Sequence, residues 1–271
     1  MDRYAVFGNP ISHSLSPRIH ARFGELTDDR IEYTAIAAPV GAFAETVRAF
    51  FAAGGRGGNV TLPFKLDAFE LAAHRSERAN LAGAANFLHA RADGIHADNT
   101  DGLGLVADLE GNLGFALRGA EVLLLGAGGA ARGVLAPLLA RGPRRIVLAN
   151  RTEVTARALA QRFASVGAVE PASLASIPVA PYTLVLNATS TSTRGEALAL
   201  PGHAIPAGCL AYDMAYGAGA EPFLARARAA GARAASDGLG MLVEQAAESF
   251  AMWRGRRPPT GPVLAELRAV R

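Results

Sequence analysis

The chain has 271 residues, of which 50% are hydrophobic and 19% are charged. This composition excludes a disordered chain, a collagen and a small disulfide scaffold. A single core stops growing near roughly 250 to 300 residues, so we expect two domains. The formal net charge of +3 does not indicate nucleic acid binding, because the basic residues are scattered among acidic ones. All 27 basic residues except Lys65 are arginine.

The sequence shows no signal peptide and no run of about 18 apolar residues that would predict a membrane span. The single cysteine, Cys209, cannot form an internal disulfide, and the apolar run around it predicts a buried strand. We expect a packing role for this thiol and a reducing, cytoplasmic location for the protein.

Short apolar runs alternate with alanine-rich helical stretches along the whole chain. This alternation predicts βαβ units, and therefore an α/β protein of two domains with mostly parallel sheet. In the first third the predicted strands are residues 3–7, 31–37 and 58–62, and the predicted helices are 17–26 and 41–53. Further strands are predicted at 121–125, 145–149, 183–187 and 210–214, with helices that begin at Ala130, Glu153 and Glu221. A connecting helix is predicted at 102–113, and two closing helices at 240–253 and 261–270.

A glycine-rich turn follows the predicted strand 121–125 and leads into a helix. Gly126, Gly128 and Ala131 occupy the small-residue positions of the dinucleotide-binding fingerprint G-x-G-x-x-[G/A]. The first glycine permits the tight turn, the second lets the backbone approach a pyrophosphate, and the helix N-terminus holds the phosphates. A sharp turn without a ligand is the alternative, but the predicted strand before the turn and the predicted helix after it favour dinucleotide binding.

The next predicted strand ends in Ala149-Asn150-Arg151-Thr152, where a protein specific for NAD usually carries an acidic residue. A guanidinium can hold a ribose 2′-phosphate through two hydrogen bonds, whereas a carboxylate would repel it. A solvated arginine at a strand end is the alternative, but the position of Arg151 relative to the glycine turn favours NADP.

Two serines precede the first predicted helix. Ser16 is placed as its N-cap, with Pro17 at the first helical position. Ser14 is not needed for the cap, and two hydroxyls at a helix N-terminus form a site for a small carboxylate. The local sequence favours capping, with carboxylate binding as the second interpretation. His13 and His20 lack a third ligand at usable spacing, so we expect no metal.

The only lysine, Lys65, ends the motif Asn59-Val60-Thr61-Leu62-Pro63-Phe64-Lys65. Arginine cannot release a proton near neutral pH, whereas a partly desolvated lysine can, so this position indicates an amine that titrates. Asp101, which follows a short strand and precedes the connecting helix, is the candidate partner. Such a pair can hold a substrate hydroxyl and pass its proton as a hydride leaves the same carbon. A helix N-cap is an equally good interpretation of Asp101 from its local sequence.

Taken together, these motifs resemble the shikimate dehydrogenase family over essentially the whole chain and in order. The most specific segments are Gly8-Asn9-Pro10-Ile11 with Ser14-Leu15-Ser16-Pro17, and the motif that ends at Lys65. The others are Gly83-Ala84-Ala85-Asn86, Asn99-Thr100-Asp101, Gly126-Ala127-Gly128-Gly129-Ala130, Asn150-Arg151-Thr152, Asn187-Ala188-Thr189-Ser190 and Gly238-Leu239-Gly240-Met241-Leu242-Val243-Glu244-Gln245. The resemblance implies NADP-dependent interconversion of 3-dehydroshikimate and shikimate, a step toward chorismate and the aromatic amino acids.

The resemblance also implies a role for each candidate site residue. Ser14 and Ser16 would hold the substrate carboxylate, and Tyr216 would reach the substrate. The residues expected around the ring hydroxyls are Thr61, Lys65, Asn86, Asp101 and Gln245, with Lys65 and Asp101 as the acid/base pair. Those expected to bind NADP are Gly126, Ala127, Gly128, Gly129, Ala130, Asn150, Arg151 and Thr152, with Met214 and Gly238 near the nicotinamide.

We expect a substrate-binding and catalytic domain at residues 1–101, a Rossmann-type NADP domain at 102–239, and C-terminal helices at 240–271 that pack on the first domain. Phe87, where the family commonly has threonine, and Ala97, where glycine is frequent, depart from its pattern, as does the loop at 218–221. These departures leave quinate open as a further substrate. A quinate/shikimate dehydrogenase that prefers NAD and a non-catalytic NADP-binding regulator stay as alternatives, and a homodimer is left open.

Overall fold

The computed structural model describes residues 1–194 and 196–270 of the chain. They form two compact units. The first unit joins Met1–Gly104 with the segment that starts at Leu242, and the second unit is Leu105–Met241. Within the described residues, no helix is both long enough and apolar enough to cross a membrane.

The N-terminal part of the first unit alternates strands and helices. Its strands are β1 (Asp2–Gly8), β2 (Ile31–Ala37), β3 (Gly55–Val60), β4 (His74–Arg75), β5 (Phe87–Arg91) and β6 (Gly94–Asp98). Its helices are α1 (Ser16–Thr27), α2 (Phe43–Ala52), α3 (Lys65–Leu71) and α4 (Glu77–Ala82). Helix α5 (Asp101–Ala107) carries the chain into the second unit and is followed by a π-helical turn, Asp108–Asn112.

The second unit repeats this alternation. Its strands are β7 (Glu121–Leu125), β8 (Arg145–Asn150), β9 (Glu170–Ser173), β10 (Leu184–Asn187), β11 (Leu210–Asp213) and β12 (Ala234–Ser236). Its helices are α6 (Gly129–Ala140), α7 (Glu153–Arg162) and α8 (Glu221–Ala229). Two helices, α9 (Leu239–Arg254) and α10 (Gly261–Ala269), then return the chain to the first unit.

The two sheets differ in topology. The first has the strand order β2-β1-β3-β5-β6-β4, in which β5 is antiparallel to both neighbours and the other pairs are parallel. The second, β12-β11-β10-β7-β8-β9, is parallel throughout. Its order reverses between β7 and β10, and in doubly wound sheets ligands bind at the carboxyl ends of the strands at such a point. The predicted α/β fold with mostly parallel sheet is confirmed.

Burial follows from these topologies. Residues 122–125 of β7 are fully buried apolar side chains, as is typical of a parallel strand covered by helices on both faces. In the first sheet, Phe7 of β1 packs edge-on against Phe43 and Phe50 of α2. The C-terminal segment is fastened to this unit by Arg254 of α9, whose guanidinium pairs with the carboxylates of Asp2 and Asp29.

Some predicted elements differ from those observed. The strand predicted at 58–62 spans Gly55–Val60 instead, because Pro63 has no N–H to donate to the ladder and Leu62 turns to the surface. The predicted connecting helix 102–113 ends as an α-helix at Ala107 and continues as the π-helical turn. Elements β4, β5, β9, β12, α3 and α4 were not predicted, since short elements carry too little periodicity to be recognised.

Cys209 lies immediately before β11 and is 1% exposed, within the core of the second unit. Burial raises the pKa of its thiol to about 11. The thiolate is the reactive form of cysteine, so this environment suits packing and disfavours nucleophilic chemistry.

Candidate active site

Lys65 and Asp101 form an ion pair in the first unit. Lys65 is the first residue of α3 and Asp101 is the first residue of α5. The Lys65 Nζ atom donates a hydrogen bond to Oδ2 of Asp101 at 2.6 Å. The two side chains are 18% and 8% exposed, so the pair is largely shielded from bulk water without being sealed off. Charge-assisted hydrogen bonds of this kind are among the strongest in proteins.

Asn86 holds the other oxygen of the Asp101 carboxylate. Its Nδ2 atom donates to Oδ1 of Asp101 at 2.8 Å and to Oε1 of Gln245 at 3.2 Å. Its Oδ1 atom accepts from the backbone N–H of Thr100 at 2.7 Å, which fixes the orientation of the amide. The structure thus brings Lys65, Asn86, Asp101 and Gln245 into one connected group, which we call the lysine cluster.

The capping interpretation of Asp101 is wrong. Helix α5 begins at Asp101 itself, whose N–H donates to Oδ1 of Asn99 at 3.1 Å. Asn99 therefore accepts from the first N–H of the helix. The Asp101 carboxylate is left to bind Lys65 and Asn86.

A buried chain of hydrogen bonds continues from the lysine cluster. Oγ1 of Thr100 lies 3.3 Å from Oγ of Ser249, which accepts from Nδ2 of Asn59 at 2.8 Å. Oδ1 of Asn59 in turn accepts from the Tyr33 hydroxyl at 2.8 Å. Connected buried polar groups are rigid, so this series of hydrogen bonds restrains the amide of Asn86. Sequence reasoning did not assign Asn59, Thr100 or Ser249; the first two lie in quoted motifs, whereas Ser249 has no local signal.

The serines before α1 do not cap it as predicted. The helix begins at Ser16, and Leu15 occupies the N-cap position without a side-chain bond. Oγ of Ser14 accepts instead from the N–H of Ser16 at 3.3 Å. Serine hydroxyls can accept from a backbone N–H two residues ahead, and this local bond is the one observed for Ser14. Pro17 is the second residue of the helix and not the first as predicted, because the helix begins one residue earlier.

Thr61 lies on the turn that leads from β3 to Lys65. Its N–H donates to the carbonyl of Phe7 at 2.9 Å, and its carbonyl accepts from Phe64 at 3.0 Å. Among the described residues, no hydrogen bond joins the side chains of Thr61, Ser14 or Ser16 to the lysine cluster. The structure therefore places these hydroxyls in the first unit but does not connect them to that cluster.

Phe87, one of the departures from the family pattern, lies on the opposite face of the strand from Asn86, because successive side chains alternate. Its ring is 2% exposed and stacks on Trp253 with centroids 5.1 Å apart. The aromatic ring therefore packs in the core and leaves the contacts of the Asn86 amide unchanged.

The glycine turn is where the sequence predicts it, between β7 and α6. Gly126 adopts φ +97, and a Cβ there would lie 3.0 Å from the carbonyl oxygen of Ala188. Ala131 is fully buried, as expected of the small third residue that lets helix and strand pack closely. The first and third positions of the fingerprint are thus required by the fold of the second unit itself.

Gly128 is different. It occupies the N-cap position of α6 with φ −84, which any residue can adopt, and a Cβ there would meet nothing within 4 Å. The same open space lies in front of Gly129, the first residue of the helix. Packing within the described residues therefore does not require glycine at either position. The open space in front of a helix N-terminus, with its unpaired N–H groups, fits the phosphates of a dinucleotide.

Arg151 lies at the same edge of the sheet as the glycine turn. β7 and β8 are parallel neighbours with Leu125 opposite Ala149, so Gly126 and Asn150 both follow at the carboxyl end. Nδ2 of Asn150 donates to the carbonyl of Thr152 at 3.0 Å, which shapes the turn into α7. The Arg151 side chain is exposed and has no ion-pair partner among the described residues. Its guanidinium is available to an anion, which fits a 2′-phosphate.

Met214 and Gly238 lie near each other at this edge of the second sheet. Met214 follows β11 and donates its N–H to the carbonyl of Asn187 at 2.9 Å. Gly238 donates to the carbonyl of Ala215 at 2.9 Å, which brings the end of β12 beside the end of β11. Tyr216 belongs to the same unit, directly before a 3₁₀ turn at Gly217–Ala220.

Comparison with known families gives three matches along the chain. Residues 6–88 match the shikimate dehydrogenase substrate binding domain. Residues 109–194 match the shikimate / quinate 5-dehydrogenase family, and residues 238–268 match the shikimate 5'-dehydrogenase C-terminal domain.

Curated relatives and solved structures agree with these matches. The shikimate dehydrogenase (NADP(+)) of Acidovorax ebreus (strain TPSY) is 53% identical over 99% of this chain and 96% of its own. That of Paracidovorax citrulli (strain AAC00-1) is 55% identical over 99% of this chain and 97% of its own. An Ael1 enzyme from Pseudomonas putida superposes with a TM-score of 0.92 at 48% identity, covering 98% of each chain. Shikimate 5-dehydrogenase from Thermus thermophilus in complex with NADP(H) and shikimate gives 0.86 at 31%, covering 99% of each. The chain therefore belongs to the shikimate dehydrogenase family.

Proposed function

We propose that this protein is an oxidoreductase that catalyses the reversible, NADPH-dependent reduction of 3-dehydroshikimate to shikimate. The observation that carries the proposal is the ion pair between the only lysine and Asp101, inside a chain whose curated relatives are named shikimate dehydrogenase (NADP(+)). This reaction is a step toward chorismate and the aromatic amino acids.

The lysine cluster supplies the proton transfer. NADP(H), when bound, exchanges a hydride with the carbon that carries the substrate hydroxyl. Lys65 and Asp101 hold that hydroxyl and take up its proton as the hydride leaves, or return it in the reduction. The Lys65 amine and the Asp101 carboxylate lie 2.6 Å apart, so both side chains can reach the same substrate hydroxyl.

The remaining polar residues orient the substrate. Ser14 and Ser16 bind the carboxylate of shikimate, consistent with a structure in which Ser16 does not cap the helix. The ring hydroxyls are bound by Thr61, Asn86 and Gln245 together with the ion pair, and Tyr216 also contacts the substrate. Asn86 donates a hydrogen bond to Asp101, so it also positions the Asp101 carboxylate.

The second unit binds the cofactor. The phosphates lie at the residues from Gly126 to Ala130, where the open space before α6 supports the assignment. The turn of Asn150, Arg151 and Thr152 binds the adenosine end, and the unpaired guanidinium of Arg151 favours NADP over NAD. Met214 and Gly238 contact the nicotinamide.

The domain assignment is part of the same proposal. Residues 1–101 bind substrate and carry the acid/base pair, residues 102–239 bind NADP, and residues 240–271 complete the first domain. The protein works in the cytoplasm, which the buried, unpaired Cys209 supports. A homodimer stays a prediction, to be measured by analytical ultracentrifugation.

The decisive experiment is a steady-state assay with two acids and two cofactors. We expect the highest kcat/KM for shikimate with NADP. A higher value for quinate, or for NAD, would favour the quinate/shikimate dehydrogenase alternative. Calorimetric binding of shikimate and NADP without turnover would favour the non-catalytic regulator instead.

A further inference from the structure

Three metal-ligating side chains meet at one edge of the first sheet, outside the residues proposed for catalysis. His74 lies on the edge strand β4 and pairs in register with His96 of β6. Directly paired residues project from the same face of a sheet. The two imidazole rings accordingly lie side by side, with centroids 4.4 Å apart. Asp93, in the two-residue turn between β5 and β6, is the third member.

The carboxylate of Asp93 reaches both rings. Its Oδ1 atom lies 2.8 Å from Nε2 of His96, and its Oδ2 atom lies 3.4 Å from Nε2 of His74. All three ligand atoms lie within 4.8 Å of one another. In a tetrahedral zinc shell, bonds of about 2.0 to 2.2 Å place the ligand atoms about 3.3 to 3.6 Å apart. The separation between Asp93 and His74, 3.4 Å, lies in that range, and the shorter one to His96, 2.8 Å, must lengthen when a metal ion enters.

The surroundings allow a metal ion to enter. The side chains of His74, Asp93 and His96 are 48%, 59% and 25% exposed, so small adjustments cost little and water can complete the shell. Both imidazoles also line a cavity of about 220 Å³ whose wall includes Arg91 and Met252.

The donor set selects the type of ion. Two imidazoles and one carboxylate suit zinc, nickel or copper, whereas Mg²⁺ and Ca²⁺ require oxygen ligands throughout. We propose that His74, Asp93 and His96 bind a divalent transition-metal ion such as Zn²⁺, with water in the remaining position. Bound metal joins β4 to the β5-β6 hairpin. This proposal is independent of the proposed dehydrogenase activity.

The expectation of no metal was based on His13 and His20 alone. Asp93 and His96 are three residues apart, but His74 joins them only through the pairing of β4 with β6. Since β4 was not predicted, the set was not recognised.

The test is calorimetric titration of the tag-free, EDTA-dialysed protein with ZnCl₂, followed by Co²⁺ titration, since Co²⁺ absorption reports the ligand set. We expect one saturable site per chain. His74→Ala and Asp93→Asn should each weaken binding by at least about tenfold, since even the partners of ligands contribute that much. His89→Ala is the matched control, because His89 pairs with His96 across the hairpin but is not a ligand. It should bind like the wild type.

Circular dichroism melts verify that each variant is folded before titration. Absence of saturable binding to the wild type would overturn the proposal. So would unchanged affinity in folded His74→Ala or Asp93→Asn, or an equal loss in His89→Ala, because each places the metal elsewhere. The shikimate assay on the same variants should be unchanged, which separates this test from that of the proposed function.

Discussion

In the first unit the candidate chemistry is carried by side chains, whereas in the second it is carried mainly by backbone N–H groups at a glycine turn. The lysine cluster joins residues from α3, α5 and α9 that are up to 180 positions apart, as for Lys65 and Gln245. The glycine turn lies within one strand-turn-helix segment between β7 and α6. The lysine cluster therefore depends on contacts between distant segments, whereas the glycine turn depends on the local geometry of one segment.

This difference has a consequence for substitutions. A change of Lys65 or Asp101 in the lysine cluster removes a group proposed to react. A change in the glycine turn acts either on the fold or on the ligand, depending on whether a Cβ meets protein or open space. The four sets of variants below separate these effects.

The largest effect is expected for Lys65→Ala. Loss of the amine that exchanges the substrate proton should lower kcat by about 10² to 10⁴-fold, with a much smaller change in KM for shikimate. Steady-state kinetics with NADP in excess measure both. Lys65→Arg is the control, since it keeps the charge but does not release a proton near neutral pH. Near wild-type kcat in Lys65→Ala would remove Lys65 from the acid/base pair.

Arg151→Ala tests the side chain to which we assign the preference for NADP over NAD. Loss of a charged hydrogen bond worth about 1.5 to 3 kcal/mol should raise KM for NADP by about 10 to 100-fold. KM for NAD should change little, because NAD lacks the 2′-phosphate. Steady-state assays with NADP and with NAD on one preparation of the variant measure both KM values. An equal rise in KM for the two cofactors would show that Arg151 does not bind the 2′-phosphate.

Gly128→Ala and Gly126→Ala form a matched pair. At Gly128 the added Cβ meets only the space assigned to phosphates, so KM for NADP should rise by about tenfold with unchanged stability. At Gly126 the left-handed φ should cost about 1 to 2 kcal/mol of unfolding free energy. Urea unfolding without cofactor distinguishes them. Equal destabilisation by both variants would contradict the assignment of the open space to a ligand.

The smallest effect is expected for Ser249→Ala. It removes the partner of Asn59 and Thr100, so the free energy of unfolding should fall by about 1 kcal/mol. The lysine cluster itself stays intact, and kcat should change by no more than a few-fold. A loss of kcat as large as that of Lys65→Ala, in a folded variant, would show that the buried network does more than restrain Asn86.

The same comparison explains how far the sequence could predict the molecule. β2 and β7 have the predicted bounds, and the turn at Gly126 and Gly128 was identified from its spacing and from the strand and helix that flank it. Local sequence could not decide between capping and catalysis for Asp101, because Asn99 offers a second cap two residues earlier. Ser249 was missed since its partners, Asn59 and Thr100, come from distant segments. The pairing of Lys65 with Asp101 was predicted from residue type, whereas the buried partners of the lysine cluster could be found only from the tertiary structure.

The first unit is built from two segments that are separated in the sequence, and this limits the order in which the two units can fold during synthesis. Domains fold as units while the chain emerges from the ribosome. The second unit, Leu105–Met241, is continuous and is available to fold as soon as it has been translated. The first unit must wait for α9, which brings Gln245 to Asn86 and pairs Arg254 with Asp2 and Asp29. A chain that stops before α9 therefore presents the glycine turn without a finished lysine cluster.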